Sequence, residues 1–257
     1  MNLRSKLLAV AILTGVVIYG PSFEVQSHLS LFGDDSELIL SEKKLSLNAS
    51  SLTSLKAETG AGKLEIQGIE GLNEIELVAS IYAYDDSKVE LSLDSHSQRA
   101  ELIAKIQHSG MSNESPYIDL VLNVPAMMML DIKDGSGSIK INGVMADIEL
   151  VDGSGSIQIE GGKKLAITDG SGSITIKDTT GPLALTDGSG SINLENIGGN
   201  VAIDDGSGSI NVKQVQGLVV INDGSGSINV THAQGLTVKN AGSGSVNYSD
   251  ISGSVNL

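Results

Sequence analysis

Between Asp134 and Val246 the hexapeptide Asp-Gly-Ser-Gly-Ser-Ile occurs six times, followed by one degraded copy. The copies start at Asp134, Asp152, Asp169, Asp187, Asp205 and Asp223, and Ala241 opens the seventh. Successive starts lie 18, 17, 18, 18, 18 and 18 residues apart. A unit this short cannot bury its own apolar face. A fixed period of this length therefore predicts a solenoid, in which each coil closes the core of the next.

Counting each repeat from its Asp as position zero, apolar residues stand at −4 and −2. These are Leu130/Ile132, Ile148/Leu150, Leu165/Ile167, Leu183/Leu185, Val201/Ile203 and Val219/Ile221. A second apolar pair stands at +5 and +7, from Ile139/Ile141 to Ile228/Val230. Spacing by two puts both members of a pair on one strand face. Each coil of about 18 residues thus has two main strands joined by the Asp-Gly-Ser-Gly-Ser corner. Glycine takes positive φ there without steric cost, and the Asp can accept hydrogen bonds from amides just downstream. A second corner follows, with Gly181, Gly199, Gly217 and Gly235 at +12. The chain has no Trp and only two Phe, so Ile, Leu and Val must build the core. These residues suit stacked strands.

The repeat has an earlier, divergent member. Gly60 and Gly62 match the corner, Leu64 and Ile66 match +5 and +7, and Leu55 and Ala57 fall at −4 and −2. Between it and Asp134 the period lapses into four longer alternating stretches: 74–84, 88–94, 101–107 and 117–124. These are expected to form an inserted sheet that pairs with or caps the first coils. At the other end, counting from Ala241 brings Thr237 and Lys239 to the inward positions. A polar terminal rung of that kind would stop further chains adding to the edge.

The N-terminus has the layout of an export signal. Arg4 and Lys6 precede an uncharged, mainly apolar run of 14 residues from Leu7 to Gly20, short for a membrane span of roughly 20. Cleavage near Ser22 or Ser27 gives a signal peptide, and its failure leaves an anchor. Loss of residues 1–22 would take two cations from a chain of net charge −15 and leave −17. Such acidity argues against nucleic acid, which needs a basic patch, and against anionic lipid surfaces. The chain has no cysteine, hence no disulfide, thiolate nucleophile or lipid-bearing cysteine. The expected organisation is a signal peptide or anchor over 1–22, a linker or leading segment over 23–49, and a solenoid over 50–257. Within the solenoid, 74–124 supply capping strands and 130–257 the regular coils.

Three features together resemble the bacterial "putative adhesin" family of β-strand-repeat proteins. They are the export signal followed by a Gly-x-Gly coil at 60–66, the Leu120–Pro125 stretch leading through Leu130-Asp131-Ile132 into the repeat, and the run of Gly-Ser-Gly-Ser-Ile units. The resemblance covers residues 50–257. It implies an all-β, right-handed parallel β-solenoid at the cell envelope, exported to the periplasm or cell surface. No catalytic residues come with it.

Stacking would place Asp134, Asp152, Asp169, Asp187, Asp205 and Asp223 in one ladder at ~4.8 Å spacing. Like charges so close resist ionisation, so amides, waters or a divalent cation must offset them. Calcium takes several oxygen ligands, which makes these aspartates the candidate metal ligands, with the corner serines beside them. The register differs from the calcium β-roll, where Asp follows the glycines; here it precedes them. Position +6 forms a second ladder, Lys140, Gln158, Thr175, Asn193, Asn211, Asn229 and Asn247, facing outward. Stacked Asn amides stabilise a rod and also offer a polar surface to a glycan. An enzyme finds little support. The serines are repeated rather than singular, Gly-x-Ser-x-Gly spacing is missing, and the one acidic cluster, Asp85/Asp86 near Lys88, reads as a solvated turn. The sequence therefore predicts a non-enzymatic, adhesin-like rod whose partner is a protein or glycan of the envelope. The alternatives are a calcium- or carbohydrate-binding module at the corner and, behind it, an envelope-polymer enzyme using the 74–124 insertion.

Overall fold

The computed structural model describes residues 25–27, 37–109 and 114–257. The expected signal segment, 1–22, lies outside the described residues. The chain forms a parallel β-solenoid of about seven turns. Its leading strands are β1 (Val25–Ser27), β2 (Ile39–Asn48), β3 (Ser54–Thr59), β4 (Leu64–Ile69), β5 (Glu74–Ala83), β6 (Lys88–His96), β7 (Arg99–Gln107) and β8 (Tyr117–Pro125). The regular coils follow as the pairs β9 (Met129–Asp134) and β10 (Gly137–Val144), β11 (Ile148–Asp152) and β12 (Gly155–Gly161), then β13 (Leu165–Asp169) and β14 (Gly172–Thr179). The next are β15 (Leu183–Asp187) and β16 (Gly190–Ile197), β17 (Val201–Asp205), β18 (Gly208–Asp223) and β19 (Gly226–Asn240). The short β20 (Val246–Ile251) and β21 (Val255–Asn256) end the stack.

Two walls run the length of the rod. In the first, β9, β11, β13, β15, β17 and residues 219–223 of β18 pair in parallel, Asp upon Asp. In the second, β10, β12, β14, β16 and residues 208–215 of β18 pair with Gly on Gly and Ile on Ile. The −4, −2, +5 and +7 side chains of these coils are buried between the walls. Each fully buried Ile or Leu contributes roughly 1.5–3 kcal/mol, a sum available only to the assembled stack. A further inward column stands at +10, where Val144, Thr179, Ile197, Val215 and Ala233 are buried. It closes the coil where the sequence reading had placed only a corner.

The 74–124 strands form no separate sheet. They extend both walls, in the order β1-β2-β5-β8-β4-β10 on one and β6-β7-β3-β9 on the other. The early coil β3–β4 is wedged between rungs that come later in sequence, with β3 between β7 and β9 and β4 between β8 and β10. Antiparallel pairing begins with β5 on one wall and β6 on the other, and β1 and β6 are the outermost strands. The segment 23–49, expected as a linker or leading segment, contains β2, paired with β5 along its whole length. Its alternating Leu45 and Leu47 pack against the core, which gives those residues a face to bury.

The last rung differs from expectation. Leu236 and Val238 are buried, while Lys239 is exposed. Thr237, expected inward, pairs with the outward Val220. A register shift between Val215 and Leu218 moves the strand by one residue, and a one-residue slip exchanges the two faces. Burying two aliphatic side chains outweighs keeping the 18-residue count. A second shift between Ile221 and Asn222 restores the 18-residue pairing, so exposed Asn240 lies opposite Asn222 and Ala241, next in line with Asp223, packs against the core. Asn240 Oδ1 accepts the Gly242 N–H at 3.1 Å.

The corner is governed by the second glycine of each hexapeptide. Gly190 has φ +144°, and a Cβ there would run into the backbone carbonyl oxygen of Gly172 one rung below. The same relation joins Gly155 to Gly137, Gly208 to Gly190 and Gly226 to Gly208. The +12 glycines do not have positive φ, and the left-handed residue of the second corner is at +9: Asp178, Asn196, Gln214, His232 and Asp250, φ 55–58°. Asn and Asp tolerate that region best among side-chain-bearing residues. We expect Gly190→Ala to lower unfolding free energy by about 3 kcal/mol or more, since φ strain and backbone overlap act together. Gly60→Ala, where the nearest atom is 3.8 Å away, should cost far less, as thermal melts of the two variants will measure.

Candidate functional site

The hexapeptide aspartates belong to the inward face. Position zero has the same parity as −4 and −2, so the strand that buries Ile203 also turns Asp205 inside. Asp152, Asp169, Asp187 and Asp205 are 3 % exposed and Asp223 0 %, while Asp134 is half-buried. The residue that the sequence predicts as a corner turn-former also continues the core stripe. The turn is formed as well. Oδ1 accepts the N–H of the serine two residues on, at 3.3 Å for Asp169, 3.2 Å for Asp187 and Asp205, and 3.1 Å for Asp223. Asp134 Oδ1 accepts from the Thr59 hydroxyl of the wedged coil.

The other oxygens have no such partner. Oδ2 of Asp134, Asp169, Asp187, Asp205 and Asp223, and both oxygens of Asp152, are buried without a hydrogen bond. Burial pushes all six carboxyls above the ordinary carboxylate range. Asp134 is raised to about 7 by burial and then by the charge of Asp152, against the Thr59 hydrogen bond. Asp205 is raised to about 6, by burial first and the Asp187 charge next. The predicted metal candidates are therefore brought together as one column. Among the described residues, no group of three or more His, Cys, Asp or Glu is arranged to hold a metal ion.

The +6 ladder faces outward and is hydrogen-bonded along the rod. Asn211 donates to Asn193 at 3.2 Å, Asn229 to Asn211 at 3.0 Å and Asn247 to Asn229 at 3.1 Å. Similar links join Asn222 to Asp204 at 2.9 Å and Asn196 to Asp178. A groove that no sequence motif marks lies on the outside of the first wall. Its volume is about 320 Å³, and Arg99, Met129, Asp131, Asp147, Glu149 and Lys164 line it. Register explains the gathering: β7, β3, β9, β11 and β13 lie side by side, so residues as far apart in sequence as Ser54 and Met129 become neighbours. Lys56 at its edge is engaged by Glu58 at 2.9 Å, and Glu58 also meets Lys105 at 2.6 Å. Those two lysines hold the Glu58 carboxyl down at about 2. In the capping strands, Asp86 faces His108 at 3.0 Å rather than Lys88, and the His108 ring lies 4.7 Å from that of Tyr84.

These features match a known family. Residues 37–257 match the family described as Toastrack DUF4097, and the chain belongs to it. No curated protein matches the chain. Among solved structures it is similar to a putative lipid binding protein from Parabacteroides distasonis ATCC 8503, at 16% identity and TM-score 0.44, covering 84% of this chain and 96% of that one. It is also similar to a putative adhesin from Parabacteroides merdae ATCC 43184, at 13% identity and TM-score 0.42, covering 85% and 96%. A third is a putative cell adhesion protein from Clostridium sporogenes ATCC 15579, at 14% identity and TM-score 0.35, covering 84% and 97%. Among the described residues no helix is long and apolar enough to cross a membrane.

Asn211 is both donor and acceptor in its ladder. We expect Asn211→Ala to lower unfolding free energy by about 0.5–1.5 kcal/mol, as two partly exposed amide hydrogen bonds are lost. Denaturant melts should place Lys140→Ala, at the same position but outside the amide ladder, within about 0.5 kcal/mol of the parent.

Proposed function

We propose that this protein is a non-enzymatic, exported, adhesin-like rod that presents repeated polar groups to a glycan or protein of the cell envelope. The observation that carries the reading is the outward Asn193–Asn211–Asn229–Asn247 ladder, with identical amides at rung spacing on a rigid wall. A catalytic centre is singular, because one bond is broken at one place. A column of equal groups suits a polymer that also repeats, and an extended polysaccharide offers hydroxyls at a comparable interval. The groove beside Arg99 and Lys164 adds charged donors at one end of the rod. Neither of these cations is in an ion pair with any described residue. The acidic chain, the apolar run at 7–20 and the adhesin wording of the similar structures support placement at the envelope.

A calcium module at the corner is the second reading, favoured by the partnerless carboxylate oxygens. The two differ in what they need. Binding to arrayed envelope glycans and to whole cells should be retained in chelator and weakened at least several-fold by Asn211→Ala/Asn229→Ala or Arg99→Ala/Lys164→Ala. Binding that vanishes in chelator and returns with calcium would favour the corner module instead. Fractionation of cells carrying a tagged chain should recover it in the periplasm or at the surface; recovery in the cytosol would sink the envelope reading.

A further inference from the structure

The aspartate column is more than a row of turn-formers. Asp169, Asp187, Asp205 and Asp223 each commit one oxygen to the corner amide and leave the other inside the rod with no hydrogen bond. Asp134 gives one oxygen to Thr59, and Asp152 has both free of hydrogen bonds. In-register pairing puts the same group directly above and below: Asp134 on Asp152, then Asp169, Asp187, Asp205 and Asp223. A core can hold such a row in two ways, with an enclosed cation or with protons. No described cluster is arranged for a metal, whereas a proton needs no more than one oxygen of each neighbouring pair.

We propose that the column is a proton-holding spine: its aspartates take up protons as neutral acids on folding, so that the solenoid is tightened by mild acid and loosened above neutrality. The groups facing each carboxyl are few. From the strands above and below come only the neighbouring aspartates, which act on one another by charge. From its own corner come the amides of the next two residues, which favour the charged form. From β3 comes the Thr59 hydroxyl, which reaches Asp134. Beyond Asp223 the next rung brings the uncharged Ala241. No lysine or arginine is among the groups acting on the column.

The direction of the pH effect follows from linkage. An unfolded Asp titrates near ~3.9, while the folded column titrates higher, about 6 at Asp205 and about 7 at Asp134. Between these limits the folded state binds more protons than the unfolded one, so stability falls as pH rises through the window and levels off above it. Glu58, held at about 2, acts the opposite way and costs stability only as pH drops below the ordinary carboxylate range. Mild acid is therefore the region of greatest stability.

Thermal melts of the full chain from pH 4.5 to 8.5 test this, compared with Asp169→Asn/Asp187→Asn/Asp205→Asn. Asparagine keeps the oxygen that accepts the serine amide and gives its neighbour a donor in place of a charge. The parent should lose thermal stability steadily from pH 5 to 8. The triple variant should be flatter and more stable than the parent at pH 8, and should release fewer protons over that range on potentiometric titration. Infrared spectra of the folded parent at pH 6 should show a protonated-carboxyl C=O band that is weaker in the variant, which keeps Asp134, Asp152 and Asp223. This readout needs only the parent, so it decides the matter even if the triple variant does not fold. A parent whose stability is level or rises between pH 5 and 8 would overturn the proposal, as would absence of the band. Millimolar calcium that stabilises the chain at pH 8 as much as acid does would assign the column to a cation.

Discussion

The whole rod depends on how closely one backbone turn can lie upon the next. At the hexapeptide corner the α-carbon of each second glycine rests against the carbonyl of its counterpart one rung below, with no room for a methyl group. That contact fixes the vertical spacing and locks the register. Once register is locked, every residue type in the repeat becomes a column. Isoleucines stack into a continuous core, asparagines into an outer amide ladder, and aspartates into an inner row of carboxyls. The spacing that lets aliphatic side chains interdigitate also forces like charges together. The stability of the core and the frustration of the aspartates have one origin.

The aspartate column is therefore a cost that the fold carries in six consecutive rungs. Replacing a buried polar group with an apolar one is often neutral or stabilising when its partners go too. Here Oδ1 anchors the corner, and the corner is what brings the two walls into register. Seen this way, the carboxyl does two opposed things: it shapes the turn with one oxygen and burdens the interior with the other. The wedged coil β3–β4 shows the same position solved without charge, as Thr59 occupies the place of Asp and donates to Asp134. The last rung shows another neutral solution, with Ala241. The column is thus bounded by uncharged residues at both ends.

The outer surface is ordered by the same stacking, and it is where an envelope partner would be met. Adjacent rungs supply one side chain each, so the groove near Arg99 is built by strands far apart in sequence and near in the sheet. Both walls are extended at the leading end by strands that turn antiparallel, β5 on one and β6 on the other. Antiparallel pairing there ends the coil-on-coil growth that the parallel rungs would otherwise invite. The outermost strands of those extensions, β1 and β6, are short or polar at their ends, a usual way to blunt an edge.

The amino-acid sequence by itself determined the solenoid, because its period, its paired apolar positions and its corner glycines are local and repeat without interruption. It also determined that Asp134 to Asp223 form a ladder, since equal spacing in a stacked coil permits nothing else. It did not determine which way the ladder faces. Parity with −4 and −2 points it inward and the cost of burying charge points it outward, and only the assembled stack decided between them. The +9 left-handed corner was legible too, in the run Gly143, Gly161, Asp178, Asn196, Gln214, His232 and Asp250. Only the tertiary structure decided that Leu236 and Val238, rather than Thr237 and Lys239, complete the core. A one-residue shift costs a bulge locally and is repaid by burial against a neighbouring rung. Only it decided that the early coil is wedged between later ones and that a groove opens beside Arg99. Those facts depend on pairing between distant strands, and a strand's own residues specify that it pairs without specifying with which partner.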